Sequence, residues 1–184
     1  APGSGAGGVG IGIQNASSGI FYSSYIHYKT GVAGCLLDSA GSGILQTSNI
    51  AIRSGTLSDG LRVSAGTLRV YGLIIDTGSV ITDGLSLDGG LAYLTQVDFR
   101  AIPVNGVHQT VNAVAMEANG CRMTGTTWDW LIDPALTGIG TFLNLYDCIF
   151  KTESLSFPAG YTSNASIVAN FADDGIQNDR SYRM

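Results

Sequence analysis

Charge is what this chain has least of. Asp, Glu, Lys and Arg make up 12% of its 184 residues, about half the share of an ordinary globular protein. Long-helix proteins need those side chains on helix exteriors, so that class is excluded. The nine basic residues stand singly against 14 acidic ones, and the formal net charge is −5. No basic cluster is available to neutralise a phosphate backbone, which argues against a nucleic-acid partner. No apolar run reaches the roughly 18 residues of a membrane helix, so no membrane insertion is expected. Histidine is nearly absent too. His27 and His108 stand alone, with no second ligand type at metal-binding spacing, so no metal and no cofactor is expected. The three cysteines, Cys35, Cys121 and Cys148, are too few for a disulfide framework. They read as buried thiols packed like small hydrophobes, with a Cys121–Cys148 contact between neighbouring repeats as the alternative.

What is present is glycine, 26 residues of it, alongside an ordinary 45% of hydrophobic residues. The surface is therefore neutral and polar, and too much Leu, Ile and Val is regularly placed for a disordered chain. Regularity is clearest in Leu68-Arg69-Val70-Tyr71-Gly72-Leu73-Ile74-Ile75. Two apolar residues alternate at the strand period of two, a two-residue gap makes a bend, and two more alternate. The word recurs as Phe21/Ser23/Ile26/Tyr28, Leu45/Thr47/Ile50/Ile52, Ala92/Leu94/Val97/Phe99, Cys121/Met123/Thr126/Trp128 and Leu143/Leu145/Cys148/Phe150. The steps between copies are 24, 23, 24, 29 and 22 residues.

A weaker strand precedes several copies: Leu61 and Val63, Leu85 and Leu87, Val114 and Met116. Asp59-Gly60 and Asp83-Gly84 are turn signals ahead of the first two. Each unit thus runs turn, strand, turn, strand, bend, strand, and successive units run in the same direction. Such a coil cannot bury its own inward residues, but stacking gives them a continuous column and pairs every ladder hydrogen bond with the next rung. The expected fold is all-β: a single-stranded parallel β-helix, a β-solenoid of about six to seven short rungs, right-handed by the usual crossover bias. An antiparallel β-sandwich is the rival. Residues 1–12 are expected to be a flexible or docking lead, 13–157 the β-helix and 158–184 a C-terminal cap and polar tail. The long fourth step implies an insertion, and Ile102-Pro103-Val104-Asn105-Gly106-Val107-His108 is the expected lateral loop.

Stacking lines up equivalent outward positions. The residue after each copy gives Lys29, Arg53, Asp76, Arg100, Asp129 and Lys151, whose signs alternate from Arg53 onward as a cross-rung charge ladder would. The second residue of each copy gives Tyr22, Gln46, Arg69, Tyr93, Arg122 and Asn144, with Tyr71 and Tyr146 on a nearby column. Aromatic, guanidinium and amide groups in a row suit a subunit interface or a glycan groove equally. For catalysis the candidates are Asp98, Asp129 and Asp76, outward carboxylates on neighbouring rungs, at a separation that would suit inverting glycoside hydrolysis. Arg100 between Asp76 and Asp129 would hold both ionised and deny either an acid role. A non-enzyme is therefore expected.

The words Leu-Arg-Val-Tyr-Gly-Leu-Ile-Ile at 68–75 and Phe-Leu-Asn-Leu-Tyr-Asp-Cys-Ile-Phe at 142–150 resemble coils of the right-handed parallel β-helix superfamily typified by pectate lyases. Phage tailspikes share that architecture. The resemblance covers about residues 13–157 and lies at the level of fold. It implies either cleavage or binding of complex polysaccharides, or a rigid structural and adhesive role, usually as a homotrimer in the viral members. The chain lacks the clustered Asp and Arg calcium and lyase residues of the enzymes and the N-terminal segment that joins many tailspikes to the virion, and it is short. By analogy, the expectation is a structural module on a virus particle or in an extracellular setting, partnered by other structural subunits.

Overall fold

The structure is a computed structural model that describes residues 11–25, 27–28, 32–99, 103–111, 115–133, 135–136, 139–146, 148, 155–156, 162–168 and 182–183. Its strands are β1 (Ile11–Asn15), β2 (Ile20–Ser24), β3 (His27–Tyr28), β4 (Val32–Ser39), β5 (Ile44–Val63), β6 (Thr67–Leu87) and β7 (Leu91–Phe99). They continue as β8 (Asn105–Gln109), β9 (Ala115–Asn119), β10 (Trp128–Ile132), β11 (Ile139–Tyr146), β12 (Leu155–Ser156), β13 (Thr162–Val168) and β14 (Tyr182–Arg183). Among the described residues no helix is long and apolar enough to cross a membrane.

The ladders are parallel except for the β13–β14 pair, and they join strands about one repeat apart. An antiparallel sandwich is thereby excluded, and the chain is a parallel β-solenoid. Each coil passes through three ladders. The first aligns Leu37, Leu61, Leu85, Val107 and Trp130, the second Leu45, Leu68, Ala92 and Met116, and the third Ile50, Leu73 and Val97. These inward residues are almost all fully buried and form one continuous apolar column. About four complete turns are formed, fewer than the expected six to seven rungs. Counting copies of one word counts stacked strands rather than closed turns. The ladder itself reaches into both expected flanking segments: β1 begins at Ile11, and β13 stacks on β11 beyond residue 157.

The bend in each word is a backbone feature. Tyr25, Asn49, Gly72, Gln96 and Gly120 occupy the second gap position and all have left-handed φ, between 53° and 72°. That column corrects the fifth copy. Gly120 stacks with Gln96, so the register is Leu91↔Ala115, Ala92↔Met116 and Leu94↔Ala118. The fifth copy is thus Met116/Ala118/Cys121/Met123, which has the same spacing but a small alanine where the expected word placed methionine. The steps become 24, 23, 24, 24 and 27 residues.

The insertion moves with the register. Ile102–His108 is not a lateral loop, because Asn105–Gln109 is a strand stacked on Asp83–Leu87. The extra residues fall at the corner between β10 and β11. There Asp133 Oδ1 accepts from the Ala135 amide at 2.8 Å and its carbonyl from the Leu136 amide at 2.9 Å, which starts the longer turn.

Candidate functional site

Two regions carry polar chemistry. The first is a groove of about 750 Å³ along the left-handed bends, where the second and third ladders meet. Its edge is the column Asn49, Gly72, Gln96 and Gly120, which alternates amide and glycine from rung to rung. Ala51, Ile74, Asp98 and Arg122 form one wall as direct rung-to-rung neighbours. Asp98 and Arg122 thus set opposite charges on adjacent rungs, about 4.8 Å apart, beside the exposed Ile74. Cys121 also lines the groove.

The second region is a polar strip over the first ladder. Strands alternate, so Arg62, Ser86 and His108 stack outward between the buried Leu61/Val63, Leu85/Leu87 and Val107/Gln109 pairs. Asp59 and Asp83 sit at the corner entering this ladder and reach onto the same outer face. The Ser86 hydroxyl donates to Asp59 Oδ1 and the Ser58 hydroxyl to Asp59 Oδ2 at 2.8 Å. Asn105 Nδ2 donates to Asp83 Oδ1 at 2.7 Å, and His108 Nδ1 lies 3.0 Å from Asp83 Oδ2. Nearby, Arg62 Nε bonds Asp88 Oδ2 at 2.8 Å and Thr110 Oγ1 bonds Asp88 Oδ1 at 2.6 Å. Gln14 donates to Asp38 at 2.8 Å. Each of these bonds joins one rung to another, apart from the one from Ser58.

The electrostatics of the strip favour protonated forms. Burial raises the Asp59 carboxyl above its ordinary value, the neighbouring Asp83 charge adds to that, and the two serine hydroxyls work against it. A carboxyl raised above its ordinary value beside a second carboxyl group is an arrangement that acid–base sites use. Here, however, both carboxyls are only 9% exposed and turned to cross-rung partners. His108 is raised from 6.5, first by its hydrogen bond to Asp83, against the effect of burial. A raised histidine stabilises the fold fully below about pH 6.5, and that contribution is lost as pH rises through the folded-state value. His108→Gln should therefore lower the thermal midpoint more at about pH 5.5 than at about pH 8.5, by a difference of about 1 kcal/mol. Equal losses at both pH values would show that the Asp83 bond is not charge-assisted.

The expected site residues scatter over these surfaces. Tyr22, Gln46, Arg69 and Tyr93 do form one outward column, and the Arg69 guanidinium lies 5.4 Å from the Tyr93 ring centre. Their next neighbours are Glu117 and then Asn144, so Arg122 does not belong to the column. Tyr71 and Tyr146 share the adjacent column through Thr95 and Asn119, and both are exposed. Of the carboxylate candidates, Asp98 and Asp129 sit on different ladders. Asp98 is on the groove wall. Asp129 is buried on β10 with Oδ1 accepting from the Gly125 amide at 2.9 Å, so it is neither outward nor part of a charge ladder. Arg53 and Asp76 flank a register shift in the β5–β6 ladder, and their side chains, with Arg100 and Lys151, lie outside the described residues. Asp59, Asp83 and His108 escaped the sequence reading because Asp-Gly was taken as a turn and His108 as loop. The Asp59/Asp83/Asn105 spacing of 24 and 22 residues was the available signal.

Among the described residues no group of three or more His, Cys, Asp and Glu side chains is arranged to hold a metal. Comparisons with protein-family models, with curated proteins and with solved structures give no match for the chain. The parallel solenoid agrees with the β-helix superfamily at the level of fold.

Proposed function

We propose that this chain is a structural module of a larger assembly, a right-handed β-helix that serves in a virion as capsid decoration, minor capsid or tail-spike part, and that it works as a homo-oligomer, in the first instance a trimer. The observation that supports this is the first rung of the second ladder. Ile20, Phe21, Tyr22 and Tyr25 are 56%, 44%, 65% and 76% exposed, and among the described residues β2 pairs with β5 alone. An apolar rung with an open strand edge is a surface that strand pairing completes. The occupant it fits is a second copy of this chain, whose neutral outer faces add no charge repulsion. The polar strip supports the same reading, since its carboxylates are engaged in rung-to-rung bonds.

Light scattering over a range of concentrations tests the proposal. The wild-type chain should behave as an oligomer, and Phe21→Asp should shift it towards monomer while leaving the β-sheet circular dichroism intact. A wild-type monomer at all concentrations overturns it.

A second reading, a glycan-binding or glycan-degrading spike, has one observation behind it: the open groove with Asn49, Gln96, Asp98 and Arg122 along its length. The test is binding of oligosaccharides to the wild type and to Asp98→Ala. That reading expects binding that the substitution weakens at least about tenfold, an effect of about 1.4 kcal/mol.

A further inference from the structure

Cys121 and Cys148 are set into adjacent rungs in the same way. Asn119 and Tyr146 are direct register partners, and Cys121 and Cys148 stand two residues after them. Each thiol donates back to that residue's carbonyl, Cys121 to Asn119 and Cys148 to Tyr146, both at 3.4 Å. The Gly120 amide bonds the Tyr146 carbonyl at 3.0 Å and ties the two rungs together just ahead of the cysteines. Strand spacing of about 4.8 Å lies within the Cα separations a disulfide spans, about 4.4–6.8 Å. All three cysteines are free and buried, and Cys35 lies on β4, in a different ladder.

We propose that Cys121 and Cys148 are a redox pair, a modification site that converts two stacked rungs into a covalently joined unit when a small-molecule disulfide is supplied. Cys121 is the entry point: it is buried, but it borders the groove, so a small opening of the groove wall exposes it first. Its thiolate attacks one sulfur of the small disulfide; that sulfur's partner leaves as a thiolate and takes up a proton. The Cys148 thiol then loses its proton and attacks Cys121 Sγ, and the second small thiol leaves. In total two protein thiols are oxidised to one disulfide, and one small disulfide is reduced to two thiols. The order of attack follows from position: Cys121 borders the groove, and Cys148 is fully buried. Burial and the Asp59 and Asp38 charges keep the Cys35 thiol protonated, which reserves the reaction for the stacked pair.

The probe is glutathione disulfide added to the native full chain, followed by unfolding in an alkylating agent and intact mass measurement. The expected product loses two hydrogens and takes up one alkyl group instead of three, and peptide mapping finds Cys121 joined to Cys148. Cys148→Ser should stop at a glutathione adduct on Cys121, and Cys35→Ser should leave the reaction rate unchanged within about twofold. Three alkylated thiols after prolonged oxidation of the wild type overturn the proposal. So does a disulfide through Cys35, or a lasting glutathione adduct on the wild-type chain. The wild-type result stands whether or not the variants fold.

Discussion

Gly90→Ala and Gly66→Ala should each destabilise the protein by about 4 kcal/mol, a large part of the 5–15 kcal/mol that holds a typical domain together. Both residues close the corner between the first and second ladders, with φ near +64°. An L-residue in that region costs about 1–2 kcal/mol by itself. The greater part comes from the neighbouring rung. A Cβ on Gly90 would overlap the Gly66 carbonyl oxygen, and one on Gly66 would overlap those of Gly41 and Gly43. The Gly66 and Gly43 oxygens accept ladder bonds from the Leu91 and Thr67 amides, so they cannot retreat without opening the corner. Gly120 is the matched control. Its φ is also left-handed, +60°, but a Cβ there would meet nothing nearer than Gln96 Cγ at 3.9 Å. Gly120→Ala should lose only about 1 kcal/mol. Urea unfolding midpoints measure all three. If Gly90→Ala is no worse than Gly120→Ala, rung-to-rung contact is not what demands glycine at the corner.

Phe99→Ala should cost a similar amount, about 3–5 kcal/mol, by emptying the widest part of the core. Phe99 is fully buried and leads the largest fully buried side chains. Its ring occupies the space over Gly84, where a Cβ would come within 2.6 Å of Cε2. Aromatic bulk on one ladder is thus matched by a missing side chain on another. Phe99→Leu keeps most of the volume and should lose only about 1–1.5 kcal/mol. Chemical unfolding of both variants would decide. A Phe99→Ala loss below about 1 kcal/mol would mean that the rungs close over the void, against the rigidity that stacked ladders imply.

Much of this architecture was legible because inward columns leave a periodic mark. Leu68, Val70, Leu73 and Ile75 announced the bend and both short strands, and all four are fully buried. Thr47, a polar residue at an apolar position, is buried there too. The fifth copy misled for a physical reason. A tapering core accepts Ala118 where Val70 and Leu94 stand elsewhere, and a search for large apolar residues passes over it. The backbone was the better guide, because Gly120 repeats the left-handed need that Gly72 meets. Once the register slipped, Arg122 and Asp129 were assigned to columns they do not join. The polar strip was harder still. Asp59 and Asp83 lie at a corner where strand alternation breaks, so no parity rule said which way they point.

Two of the three corners of each coil differ sharply in how much length they allow. At the left-handed bends the gap is always two residues, from Ser24-Tyr25 to Asn119-Gly120. Between the first and second ladders the connection grows from Ser64-Ala65-Gly66 to the stretch between Ile132 and Ile139. The corner between the first and second ladders is therefore an edge of the rod on which length can be written. Foreign peptides spliced between Ile132 and Ile139 would ride on that edge as a display site, whereas a single residue added at the opposite bends would throw every later rung out of step.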